Sequence, residues 1–104
     1  MLSLCMKAGM LKAGGFASEK ALRSNDARLI LLAGDASDNT KKKFINKAHF
    51  YKTPVYLCGC IADLSRLTGV DNRAVFAVTD SGFAANIERK LRDANITEAG
   101  EWQK

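Results

Sequence analysis

The chain has 104 residues, which is room for one domain around one hydrophobic core. Its composition, 47% hydrophobic and 26% charged, is that of a globular protein and excludes wholesale disorder. The 16 Lys and Arg residues exceed the 11 Asp and Glu residues, and the net charge of +5 suits a polyanionic partner.

Predicted strands and helices alternate along the chain. A helix through Leu2–Ala8 and a short strand near Met10–Lys12 come first. Short apolar runs without alternation are typical of strands covered on both faces, and they occupy residues 29–33, 55–58 and 74–78. Apolar residues at helical spacing predict helices over residues 15–25, 39–51 and 61–68, and a last helix that begins at Asp80 or Ser81.

This order of elements predicts an α/β fold. We expect a three-layer α-β-α sandwich around a mixed, largely parallel sheet of about four strands. One domain is expected over residues 1–95, followed by a tail over residues 96–104 that has no hydrophobic period.

The sequence predicts a cytoplasmic protein. Its longest apolar runs are only a few residues long, so we expect no membrane span and no signal peptide. The three cysteines, Cys5, Cys58 and Cys60, are an odd number at spacings that do not suit disulfide bonds. We therefore expect reduced thiols, with Cys5 and Cys58 filling space in the core.

Few residues are suited to catalysis. The only histidine, His49, lies in a lysine-rich helix, where its ordinary role is that of a surface or half-buried residue. Cys58 and Cys60 lack a second ligand pair at the spacing of zinc sites. Asp35 and Asp38 lie between a strand and a helix, where carboxylates usually cap helix N–H groups. We expect no enzymatic activity, no metal and no cofactor.

Two features point towards a nucleic acid. Gly9, Gly14 and Gly15 bracket the entry to the helix predicted over residues 15–25, which indicates either simple loop geometry or a bare helix N-terminus open to a phosphate or base edge. The stretch from Lys41 to Lys52 has no acidic residue, and it is either a solvated helix face or an electrostatic footprint for phosphates.

The order of residues over most of the chain resembles a known family. The segments that carry the resemblance are KALRSNDARLILLAGDASDNTKKK at 20–43, FYKTPV at 50–55, LSRLTG at 64–69 and AVTDSGFA at 77–84. Together they resemble the ribosomal L7Ae/L30e superfamily, which includes kink-turn-binding proteins, and in particular its bacterial YlxQ-like branch. The resemblance extends from about Leu2 to Leu91.

The resemblance implies an α-β-α sandwich that binds structured RNA, often kink-turns or ribosomal RNA, without catalysis. Ribosomal or translation-related proteins are further expected partners, and we expect a monomer. In the family, RNA contacts the N-terminal end of the second helix and a neighbouring apolar loop. Carried onto this chain, with the flanking lysines, the expected RNA-binding residues are Gly14, Gly15, Phe16, Lys20, Arg23, Lys41, Lys42, Val70, Asn72 and Arg73.

The chain departs from the family at one important position. Kink-turn binders carry Asn-Glu where this chain has Phe16 and Ala17, and those polar side chains hydrogen-bond the edges of sheared G·A pairs. A ring and a methyl group cannot make these bonds. We therefore expect a retained RNA surface with weakened or altered kink-turn selectivity. The alternative is a protein-interaction adaptor, with Phe16 as an exposed apolar anchor.

Overall fold

The computed structural model describes residues 8–69, 72–94 and 96. In this part of the chain four strands alternate with four helices. The strands are β1 (Leu11–Ala13), β2 (Leu29–Leu32), β3 (Val55–Leu57) and β4 (Val75–Val78). The helices are α1 (Gly15–Arg23), α2 (Asp38–Phe50), α3 (Ile61–Thr68) and α4 (Ser81–Asp93). The expected helix through Leu2–Ala8 lies, except for its last residue, outside the described residues.

The four strands form one mixed sheet in the order β1-β4-β2-β3. The α/β class and the four-stranded mixed sheet are confirmed, but the expectation of a largely parallel sheet is wrong. Only β2 and β3 are parallel, whereas β4 runs antiparallel to both β1 and β2. The apolar runs do not alternate because helices cover both faces of the sheet. This pattern is the same for parallel and antiparallel strands, so it does not predict strand direction.

Helices pack on both faces and create two hydrophobic cores. On one face, α1 and α2 place Leu22, Phe44 and Ile45 against the sheet. On the other face, α3 and α4 contribute Leu64 and Ile87. Every residue of β2 and β4 is buried, so these two strands form the centre of the middle layer.

The chain still contacts the core just beyond the last helix. Ile96, the first residue of the expected tail, is partly buried and packs against the core. Its backbone N–H donates to the carbonyl of Leu91 at 2.9 Å. The remaining residues of the expected tail lie outside the described part of the chain.

Hydroxyl and acidic side chains cap α2 and α4, and of the two capping residues the sequence indicated Asp80 but not Ser37. Ser37 caps α2 by accepting from the N–H of Thr40 at 3.2 Å, and Asp80 caps α4. The carboxylate of Asp35 also serves a helix N-terminus, as expected. It does so across the fold, since its Oδ1 accepts from the N–H of Ile61 at the start of α3 at 2.8 Å.

None of the described helices is both long enough and apolar enough to cross a membrane.

The central position of β4 can be tested with a pair of phenylalanines. Because the ring of Phe76 is completely buried, we expect Phe76→Ala to lower the free energy of unfolding by about 3–5 kcal/mol. Phe50 is 78% exposed, so Phe50→Ala should cost less than about 1 kcal/mol. Urea denaturation measures both values. Similar losses in the two variants would contradict the central placement of β4.

Candidate nucleic-acid interface

The sheet topology gathers separate segments at one end of the fold. Ala13 at the end of β1 pairs with Phe76, and Leu32 at the end of β2 pairs with both Val75 and Leu57. The carboxyl ends of β1, β2 and β3 therefore lie beside the amino end of β4. As a result, α1, α2 and the loop that precedes β4 all meet at this end of the sheet.

These segments enclose a groove of about 510 Å³, which we call the terminal groove. Residues expected from the sequence line it on two sides: Gly14, Gly15 and Phe16 from the start of α1, and Asn72 and Arg73 from the loop. Thr40 and Lys43 of α2 complete the wall. Neither of these two residues was among the expected ones, which on α2 were Lys41 and Lys42, because the face that α2 turns towards α1 depends on tertiary packing.

The start of α1 presents unpaired backbone donors beside this groove. Gly14 is the N-cap residue, and no side chain caps the helix. Its own N–H donates to the carbonyl of Val75 at 2.8 Å, but no described residue accepts from the N–H groups of residues 15–17. Such donors, together with the helix dipole, attract anions. The start of α1 therefore has the chemistry of a phosphate-binding site.

Arg73 lies directly over Gly14. A Cβ atom on Gly14 would come within 3.0 Å of Arg73 Cδ and 3.2 Å of Arg73 Nε. Only a residue without a side chain lets the arginine approach the helix start this closely, and the φ of 92° at Gly14 also favours glycine. Of the rest of the expected loop, Asn72 is exposed, whereas Val70 and Asp71 lie outside the described residues.

The lysine run does not form one surface. Lys43 and Lys47 pair with Glu19 of α1 at 3.0 and 3.4 Å, and so hold α1 against α2. The hydrogen bond from Lys43 lowers the pKa of Glu19, which keeps this carboxylate ionised. Lys41 and Lys42 have no ion-pair partner among the described residues, and they flank the terminal groove without lining it.

Lys20 lies in a second groove, of about 310 Å³, between α1 and the edge strand β1. We call it the edge groove. Lys12 of β1 lines it as well, and Phe16 and Ala17 line both grooves. Phe16 therefore stands as a ridge between the two grooves. Arg23 is exposed in the last turn of α1, far from the helix start, and lines neither groove.

Cys58, Cys60 and the histidine lie away from the two grooves. Cys58 packs at the margin of a core, and burial raises the pKa of its thiol. Cys60 is also a free thiol, and His49 is half-buried on α2. Cys5 lies outside the described residues. Within the described part of the chain, no three His, Cys, Asp or Glu side chains converge in a way that could hold a metal ion.

A family model and two similar proteins point to the same protein family. Residues 1–88 match the sequence model of the Ribosomal protein L7Ae/L30e/S12e/Gadd45 family. RNA-binding protein YlxQ of Bacillus subtilis (strain 168) is 40% identical over 84 residues, covering 81% of this chain and 84% of that protein. RNA-binding protein YlxQ of Enterococcus faecium is 34% identical over 84 residues, which are 81% of each chain.

Solved structures share this fold. A protein of unknown function from Bacillus halodurans C superposes with a TM-score of 0.84 at 32% identity, covering 88% of this chain and 92% of that one. The 15.5 kD RNA-binding protein of Giardia lamblia gives a TM-score of 0.72 at 17% identity, covering 89% and 79%. At such low identity the second similarity concerns the fold alone.

The two glycines at the start of α1 provide a matched test of this geometry. Gly14→Ala should lower the free energy of unfolding by about 1–2 kcal/mol, because the methyl group would strain the backbone and displace Arg73. Gly15→Ala should be neutral or stabilise by about 0.5 kcal/mol, since its Cβ would meet Phe44 at an ordinary 3.6 Å. Urea denaturation distinguishes the two, and equal effects would refute the placement of Arg73.

Proposed function

The chain belongs to the ribosomal protein L7Ae/L30e/S12e/Gadd45 family, and we propose that it binds structured RNA through the terminal groove without catalysing a reaction. One observation carries this proposal. The uncapped start of α1 and the side chains of Arg73 and Lys43 line a single groove, although the ammonium group of Lys43 also pairs with Glu19. Backbone N–H groups and cations arranged in this way match the phosphate oxygens of a nucleic acid.

The electrostatics of the surrounding surface support the same partner. No Asp or Glu is among the described residues that line the terminal groove. Lys41 and Lys42 extend the positive surface on one side, and Lys12 and Lys20 extend it on the other. A phosphate backbone that crosses this end of the sheet would meet cations over its whole path, which is the main source of affinity in RNA binding.

The selectivity of the site follows from Phe16 and Ala17. Both residues lie at the start of α1, where kink-turn binders of the family carry Asn-Glu. Without those polar groups the sheared G·A pairs are not read, so the proposed RNA binding has weakened kink-turn selectivity. In this proposal the protein acts in the cytoplasm as a monomer, on ribosomal RNA or another structured RNA near the translation machinery.

A second candidate function rests on the exposure of Phe16. Its ring is 80% exposed, which is also what an anchor for a protein partner requires. An adaptor would lose its partner protein on Phe16→Ala while its affinity for RNA stayed the same. The basic residues on both sides of Phe16 favour the RNA-binding proposal.

The electrostatic part of the proposal is tested by neutralising lysines at opposite ends of the fold. The double substitution Lys41→Gln and Lys42→Gln should weaken binding of a kink-turn stem-loop RNA and reduce the slope of log affinity against log salt by up to about 2. Lys52→Gln is the control, because Lys52 follows α2 at the other end of the sheet. Gel shifts at several salt concentrations measure the slopes. Equal slopes in both variants would argue against an RNA path past the start of α2.

The selectivity part is tested by restoring the family's residues. The wild-type protein should bind a standard kink-turn and a duplex with mutated G·A pairs with similar affinity. The double substitution Phe16→Asn and Ala17→Glu should introduce a preference for the kink-turn of at least about tenfold. A carboxylate in the first turn of α1 suits the helix dipole, so this variant should fold normally. If the wild-type protein binds the kink-turn much more tightly than the mutated duplex in the same gel shift, this part of the proposal is wrong.

A further inference from the structure

Phe16 is exposed at the point where the two grooves meet. Its ring is 80% exposed, and no described aromatic ring or cation stacks on it. Phe50 is almost as exposed, but its ring packs edge-on against Tyr51 with the centroids 5.0 Å apart. Phe16 therefore differs from an ordinary surface phenylalanine, because its ring remains available at the centre of a candidate binding surface.

Cations lie on both sides of this ring. Lys12 and Lys20 line the edge groove, whereas Lys43 and Arg73 line the terminal groove. Asp26 is the only acidic residue among the described lining of the two grooves, and it accepts from Ser24 Oγ at 3.0 Å near the far end of α1. The ring is thus an apolar platform between two positive flanks.

An exposed ring between two groups of cations favours one kind of ligand over another. An apolar protein segment that covered Phe16 would also desolvate the neighbouring cations, which is costly when they gain no partner. A nucleotide offers the opposite pattern, since its base presents a π-face and the phosphates before and after it are anionic. The charge pattern around Phe16 is complementary to an unpaired nucleotide.

We infer that Phe16 is a stacking platform for one unpaired base of the bound RNA, with the phosphates on its two sides held by the basic residues of the two grooves. The inference rests on the proposed RNA-binding function and adds how the site recognises its target. Stacking tolerates any base, because every base has a π-face. The protein then recognises where a structured RNA leaves a nucleotide unpaired, instead of which base pairs surround it.

A protein–RNA double-substitution cycle tests this inference. The probe is a kink-turn RNA in which each unpaired bulge nucleotide in turn is replaced by an abasic unit that keeps the sugar and phosphate. Dissociation constants are measured by fluorescence anisotropy for the wild-type protein, Phe16→Tyr and Phe16→Leu. Leucine is the matched control because it keeps an apolar side chain and good helix propensity but removes the ring.

At one bulge position, base removal should weaken wild-type binding by about tenfold, within the range expected for a single stacked base. Phe16→Tyr should retain this sensitivity. Phe16→Leu should bind the unmodified RNA about tenfold more weakly and lose no further affinity on base removal. Because Phe16 is exposed, these variants should keep the wild-type thermal midpoint.

The results that would contradict stacking on Phe16 differ from those that would contradict the proposed RNA binding. If ring removal and base removal add independently at every position, or if Phe16→Leu binds as tightly as the wild type, stacking on Phe16 is refuted while RNA binding stands. If the wild-type protein binds none of these RNAs at low salt, the proposed function itself fails.

Discussion

The antiparallel insertion of β4 between β1 and β2 is the constraint on which the candidate site depends. It places the start of β4 beside the ends of β1 and β2, so the loop with Asn72 and Arg73 returns to the end of the sheet where α1 begins. A parallel β4 would carry that loop to the opposite end, about 13 Å away for a strand of this length. The terminal groove could not then form. The antiparallel direction, which the sequence did not reveal, is therefore what creates the candidate interface.

The second organising interaction is the pairing of Glu19 with Lys43 and Lys47. Exposed ion pairs contribute little to stability individually, and this cluster retains contact with solvent. Its effect is on placement. It holds Lys43 at the wall of the terminal groove, whereas Lys41 and Lys42 form no ion pair with a described residue and remain beside the groove. The lysines of α2 look alike in the sequence but have different roles in the structure. Lys43 and Lys47 hold two helices together, whereas Lys41 and Lys42 contribute positive charge to the surface.

Local patterns predicted most of the fold, and the features they missed depend on distant partners. The apolar runs located three strands, and Asp80 was correctly offered as a helix cap, since both signals come from neighbouring residues. The acceptor role of Asp35 was foreseen, but its donor, the N–H of Ile61, lies on a helix much later in the chain. In the sequence, Phe16 is distinguished only by comparison with the family pattern. Its position between two basic grooves depends on how α1 lies against the sheet.

The hydrogen bond from Gly14 to the carbonyl of Val75 has a consequence for biosynthesis. The terminal groove is assembled from segments near residues 14–17, 40–44 and 72–75, and its wall is incomplete without the last of them. While the chain is being translated, the start of α1 has no β4 to hold it and no Arg73 beside it. Contacts of such long range form late in folding. The terminal groove is therefore completed only after residues 72–75 have been synthesised and have paired with the start of α1.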